Sequence, residues 1–355
     1  MSFNLPPKPA SPGFPISTLS TSSDESPGPL SFAFAPAINI YNRFWSWRTS
    51  LDLPNPGSVE NLQKEIKSTQ LTNFMFDGLR ADYTKAFSHK PAFTISHAFT
   101  LASQTQDPTY TLSSYFIDDN NLLQGNVDHE GNLGGRLTHQ WTPSHTTRGQ
   151  LQLGSAPDRS FLQLEHENSG VDYCLNLKAI NPSPIDGSGI YSASLLQSVS
   201  KRLALGIETN FQSAPDGSDT LTTWHAKYTG RQNDWIATAS FHTLGLLQAS
   251  YWHKLSPQVE VAADLQLIAT PMKRDAVATV GAKWDLRLSS FKAQLDSTGK
   301  LSALLEQRLA PNFALLFTGE IDHFKNTAKV GMGIMLEANA APYDEEMMAS
   351  LPPQL

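Results

Sequence analysis

The chain has 355 residues, of which 40% are hydrophobic and only 17% charged, with a formal charge of −7. An acidic, sparsely charged chain is not built to neutralise phosphates, which excludes a general nucleic-acid binder and leaves room for a basic partner. No run approaches about 18 consecutive apolar residues, the length a spanning helix needs, so a membrane form of this chain has to be a closed β-barrel.

Cys174 is the single cysteine, so no internal disulfide can form, and no Asn-x-Ser/Thr sequon is free of proline. Neither feature points to a secretory route. The opening MSFNLPPKPASPGF lacks an apolar signal core, and Lys8 is its only basic residue up to Asn42. It reads as neither a signal peptide nor an Arg-rich transit peptide. Residues 1–36 carry eight prolines and apolar side chains without period, the composition of a disordered or polyproline-like arm.

From residue 37 the pattern changes. Ile40, Phe44, Trp47 and Leu51 fall at spacings of four, three and four, one face of a short amphipathic helix. Such a stripe serves equally as a packing surface, and in a barrel either reading sets it against the wall. Asn55 can then cap a second helix that starts at Pro56, where proline's missing N–H costs nothing. Val59, Leu62 and Ile66 mark its face, and it should end near Lys67, so residues 37–68 form a helical segment.

Residues 69–338 alternate with period two, broken by turn residues. In Val259–Leu267 the apolar set is Val259, Val261, Ala263, Leu265 and Leu267, against Glu260, Ala262, Asp264 and Gln266. Leu203–Phe211, Val171–Ala179 and Phe313–Asp322 split the same way. A soluble sandwich with one wet face would also alternate. Strands of spanning length joined by short turns, a run too long for one soluble core, and the lack of aromatic fill on the polar face favour a transmembrane barrel. Trp141, Trp235, Tyr251 and Trp284 recur at strand ends, where an aromatic girdle would sit. A unit of about 14 residues per strand and turn gives close to nineteen strands, in the range of membrane barrels, without separating eighteen from nineteen. Residues 339–355 form a C-terminal tail.

The stretch NPGSVENLQKEI followed by FMFDGLRADYTKAFSHKPAFTISHAFTLAS resembles the opening of a known family: the fungal pore subunits of the mitochondrial outer-membrane protein translocase, in the mitochondrial porin superfamily. Asn55, Pro56, Gly57 and Glu60 carry the likeness, then Asp77 to Ala81, Lys85 to Phe87, Pro91, Phe93, Ser96 and His97. It runs from about Ile38 to Leu336. The resemblance implies nineteen strands with the first and last parallel, a helix inside the pore, and both termini toward the intermembrane space. It also implies partners: precursor proteins, receptor and small single-helix subunits, a second copy of the barrel, and membrane lipids, with intermembrane-space chaperones reachable by the N-terminal arm. Lys329, Gly331, Ile334 and Leu336 fit the sorting signal that such barrels share in their last strand.

No nucleophile elbow, zinc-binding helix motif, cysteine pair or phosphate loop is present. His166 sits between Glu165 and Glu167, which point away from it on a strand. Neither an enzyme activity, a cofactor nor a metal is expected. The functional candidates are instead the inward residues. The acidic set is Glu165, Glu167, Asp172, Glu208, Glu260, Asp264, Glu306, Glu320 and Asp322, offset by Arg136, Lys178, Arg202, Lys227, Lys283, Arg308 and Lys329. Acidic patches would attract a basic presequence, while Leu304, Leu316 and Met335 touch its apolar face. The bland alternative is a wall whose charges only keep the pore wet. A metabolite or anion channel of the same membrane shares the fold class, but a more basic lumen and a shorter N-terminal part would be expected of it. A soluble β-rich binding protein is the rival from another class.

Overall fold

The computed structural model describes Arg48 and residues 50–101, 107–154, 160–183, 186–214, 217–270 and 274–338. Ile40, Phe44 and Trp47 of the expected pore helix lie outside them. Leu51, the fourth, closes a turn in which its N–H donates to the Arg48 carbonyl at 3.1 Å. No helix follows until a 3-10 turn, Val59–Gln63, which runs into helix α1, Lys64–Thr69. The expected start at Pro56 is therefore corrected. Gly57 has a φ of 81°, which no helical residue adopts, and Asn55 Oδ1 accepts from the Gly57 N–H at 2.7 Å, closing a local turn in place of capping a helix. Val59, Leu62 and Ile66 are nevertheless the buried face.

Nineteen strands follow. The first six are β1 (Gly78–His89), β2 (Ala92–Thr100), β3 (Thr109–Ile117), β4 (Asn121–Asp128), β5 (Leu133–Thr142) and β6 (His145–Leu153). Next come β7 (Phe161–Ser169), β8 (Tyr173–Ile180), β9 (Gly189–Ser198), β10 (Leu203–Ala214), β11 (Gly217–Thr229) and β12 (Trp235–His242). The rest are β13 (Leu246–Ser256), β14 (Val259–Ala269), β15 (Arg274–Asp285), β16 (Ser289–Asp296), β17 (Lys300–Ala310), β18 (Phe313–Asp322) and β19 (Thr327–Ala338). Each pairs antiparallel with the next. The sheet closes where β1 meets β19 in parallel, from Gly78 opposite Gly331 to Lys85 opposite Ala338. The count left open by arithmetic is nineteen.

Packing identifies the inner face. Leu196 and Ala204 bury against Val59 and Leu62, and Ile236, Trp252 and Ala262 against Ile66. Residues paired across strands share a face, so the register carries this parity around the whole wall. On β10, Ala204 is 5% exposed and faces the lumen, whereas Leu205 is 47% exposed and faces outward. Outside, Trp141, Tyr251 and Trp284 are exposed, and Trp235 packs on Tyr228 and Tyr251 at 5.3 and 6.0 Å. Trp141, Trp235 and Trp284 lie toward one end of the barrel, by the β5–β6, β11–β12 and β15–β16 connections, which suits a girdle at a membrane surface, whereas Tyr251, expected at a strand end, sits in the middle of β13.

The described chain enters and leaves the barrel at that same end. Arg48 bonds Asp172 and the Ser198 carbonyl, beside the β7–β8 and β9–β10 connections. The segment then descends the lumen to Phe76, whose carbonyl accepts from Thr318 Oγ1 at 2.7 Å, and β1 climbs back. β19, parallel to β1, ends where the segment began.

Gly331 and Gly333 on β19 face the lumen beneath Phe76. A Cβ at Gly331 would stand 2.5 Å from the Phe76 carbonyl oxygen and 2.4 Å from Thr318 Oγ1. One at Gly333 would lie 3.0 Å from the Phe76 ring. The glycines thus have a packing reason that is independent of any sorting role. Gly331→Val is expected to destabilise the refolded barrel by about 1–3 kcal/mol, the usual range for overpacking, read as a lower midpoint in heat-modifiability electrophoresis. Val330→Leu, at an outward position, should leave the midpoint unchanged. Equal midpoints for wild type and Gly331→Val would refute the packing role.

Candidate functional site: a lumen covered on one side

The segment from Arg48 to Phe76 is stitched to the wall by side chains that the period-two pattern aims inward. Near the entry, Asn55 Nδ2 donates to Ser169 Oγ and the Gly170 carbonyl, each at 2.7 Å. Ser198 Oγ donates to the Pro54 carbonyl at 2.7 Å, and Lys227 Nζ to the Pro56 carbonyl at 3.0 Å. Glu60 pairs with Lys178. Past α1, Lys292 Nζ donates to the Ser68 carbonyl at 2.8 Å and sits 3.8 Å over the Phe74 ring. Gln294 Oε1 accepts from the Leu71 N–H at 2.7 Å. Together with Thr318, these anchors run from β7 and β8 round to β18. None of them lies on β2 to β6, so among the described residues no part of the inner segment is anchored to that arc of the wall.

Eight of the nine acidic residues named from the sequence lie at lumen-facing strand positions and Asp172 lies in the β7–β8 connection, so they form separate groups. Glu165 accepts from Arg148 Nη1 at 2.5 Å and Asn176 Nδ2 at 2.8 Å, and Glu167 pairs with Arg148 Nη2 at 2.7 Å. Asp172 is paired with Arg48. Glu208 meets His225 Nε2 and Asn210 Nδ2, both at 3.2 Å. Glu260 is 4.0 Å from Lys254, Glu306 is 3.5 Å from Arg308, and Glu320 is 3.4 Å from Lys300. Asp322 accepts from the N–H groups of Phe324 and Lys325 at 3.0 and 2.9 Å, the task of a turn former. Asp264 differs: its partners among the described residues are the amides of Gln248 and Gln266, at 3.0–3.3 Å. Amide donors carry no charge to balance a carboxylate, and Asp264, although buried at 8% exposure, has no cationic partner among the described residues. Most of the others are already countered.

Leu304, Leu316 and Met335 are brought together. Leu304 on β17 is opposite Thr318, Leu316 on β18 is opposite Gly333, and Met335 on β19 is opposite Ala314. With Phe76 beside them they form one apolar patch at the seam. Lys329, Gly331, Ile334 and Leu336 all lie on β19, with Lys329 and Gly331 inward and Ile334 and Leu336 outward. Sequence reasoning passed over Arg48 and Arg148, because a lone arginine carries no motif. Their placement depends on strands far apart in the chain.

A nineteen-stranded barrel closed by one parallel seam, with its N-terminal segment threaded through the lumen, defines a mitochondrial-type porin. The model of the eukaryotic porin family matches residues 55–331, and the chain belongs to that family. It is 37% identical over 326 residues to the mitochondrial import receptor subunit tom40 of Neurospora crassa, covering 88% of this chain and 92% of that protein. The TOM40 subunit of Saccharomyces cerevisiae is 37% identical over 322 residues, 84% and 82% of the two chains. The TOM40 homolog of Homo sapiens is 28% identical over 345 residues, 94% and 90%. These identities put the chain with the fungal Tom40 pore subunits.

The cover on the lumen rests on its apolar anchor. Ile66→Ala removes the side chain held by Ile236, Trp252 and Ala262, a loss of about 2–4 kcal/mol at a well-packed site. Limited proteolysis of the reconstituted barrel is expected to cut between residues 57 and 77 at least tenfold faster in this variant. An unchanged rate would mean that the segment is held without it.

Proposed function

We propose that the lumen carries unfolded precursor proteins across the mitochondrial outer membrane, in keeping with its similarity to proteins named as mitochondrial import receptor subunits. The observation that carries this reading is the barrel itself: a nineteen-stranded ring whose described inner segment is anchored along one side, in a chain 37% identical to tom40 of Neurospora crassa over 88% of its length. The barrel holds no energy source of its own, so transit is passive. Partners proposed on the same footing are precursors with basic presequences, the other subunits of the translocase, a second copy of the barrel, surrounding lipids, and intermembrane-space chaperones near the N-terminal arm. The end at which the described chain enters and leaves is proposed to face the intermembrane space.

The acidic and apolar lumen residues divide the work of reading a presequence. Asp264, with Glu260 four residues away on the same face of β14, attracts the basic face, and Leu304, Leu316 and Met335 receive the apolar one. A metabolite channel is disfavoured by the relatives, which are import subunits along nearly their whole length.

Replacing Glu260, Asp264 and Glu320 by glutamine removes charge without touching the Asp322 turn. A charge pair near a wet surface is worth on the order of 1 kcal/mol, about a fivefold change in occupancy. Crosslinking of a basic presequence peptide in the lumen should fall about that much, and crosslinking of a neutral peptide should not. Undiminished presequence crosslinking in a correctly assembled barrel would sink the acidic part of the proposal.

A further inference from the structure

Between the inner segment and the wall, near the end where the segment enters, lies a cavity of about 380 Å³. The segment closes it with Pro54 to Pro56 and Glu65, and the wall with the β9–β10 connection and inward side chains of β11 and β13. Three cations line it, Lys201, Arg202 and Lys227, against one carboxylate, Glu65. Among the described residues the side chains of Lys201 and Arg202 have no ion-pair or hydrogen-bond partner. Lys227 donates to the Pro56 carbonyl, an uncharged acceptor, and has two more N–H groups to offer.

Two further polar atoms are buried here without a partner among the described residues. Trp252 is 8% exposed, and its Nε1–H meets no acceptor. Glu65 Oε2 on α1 meets no donor. Packing needs neither atom: a phenyl ring would fill the place of the indole, and a buried donor left unmade carries the full desolvation cost of its group. The cavity thus sets spare cations and a stranded N–H on the wall against a stranded carboxylate oxygen on the segment. The complementary ligand is a compact anion that also carries one hydrogen-bond donor.

We propose that this cavity binds free inorganic phosphate. Near neutral pH that anion still retains a P–OH. Its other oxygens accept charge-assisted bonds from guanidinium and ammonium groups, and one from the indole N–H, while the P–OH donates to Glu65. Sulfate has acceptors only, so the same carboxylate repels it. A phospholipid headgroup is a diester without a P–OH, and Lys227 and Trp252 face the lumen, away from lipid. Bound phosphate ties Glu65 on α1 to the β9–β10 connection, and so fastens the inner segment whatever the lumen carries.

The test is isothermal titration of inorganic phosphate into the full-length barrel, folded in detergent without phospholipid. Saturable binding at one site is expected, with a dissociation constant below about 1 mM and sulfate at least about tenfold weaker. Lys201→Gln with Arg202→Gln should weaken phosphate at least about tenfold, and Trp252→Phe, which keeps a ring in the site, at least about threefold. Glu65→Gln should bring sulfate to within about twofold of phosphate. Saturating phosphate should also slow proteolysis between residues 57 and 77 at least about threefold in the wild type, an effect of ligand binding to the folded state. No saturable binding below about 10 mM would overturn the proposal. So would binding unchanged in both the double variant and Trp252→Phe, which are measured separately so that misfolding of one leaves the other to decide. Equal competition by glycerophosphocholine, a diester, would overturn the assignment to free phosphate.

Discussion

In a hydrocarbon layer an unpaired backbone N–H or C=O costs on the order of several kcal/mol, so every strand needs a hydrogen-bonded neighbour on both sides. In this chain that demand is met at one place by an uncommon arrangement, the parallel seam between β1 and β19. An odd number of strands can close no other way. The same arithmetic puts the start of β1 and the end of β19 at opposite ends of the barrel. Chain that precedes β1 and emerges where β19 ends has to pass through the lumen, and the segment from Arg48 to Phe76 does so. The inner segment is thus coupled to closure. Gly331 joins the two, since it is both the seam partner of Gly78 and the floor on which Phe76 rests.

The functional asymmetry follows. A segment one chain thick cannot line a nineteen-stranded ring, and its anchors are supplied by β7, β8, β9, β11, β16 and β18. Their side chains are consumed in holding it. Carboxylates on the covered arc are largely matched by cations. Among the described residues the inner wall is therefore two surfaces: one that holds the protein's own segment, and one to which that segment is not anchored.

Much of this was legible in the sequence where a short-range rule governs. The alternation in Val259–Leu267 and Phe313–Asp322 states which face meets lipid, because a strand has period two whatever its partners. The Val59, Leu62, Ile66 stripe likewise announced its burial. The helix start was misread because the Asn55-Pro56 signal for a helix cap competes with Gly57, whose left-handed φ turns the chain first. The strand count was not readable from spacing, since strands of 8 to 13 residues blur any average. It came from resemblance. The acidic set was placed on its face by parity alone, but its pairing with Arg48, Arg148 and Lys254 depends on contacts between strands, which no local pattern encodes.

The property on which the proposed function depends is that the lumen admits a polypeptide. Planar-bilayer recording of the purified barrel, with a basic presequence peptide added to one side, tests this most directly. Transient block that deepens as voltage drives the peptide into the pore is the predicted result. Conductance that is insensitive to the peptide at every voltage, from barrels verified as folded, would contradict it.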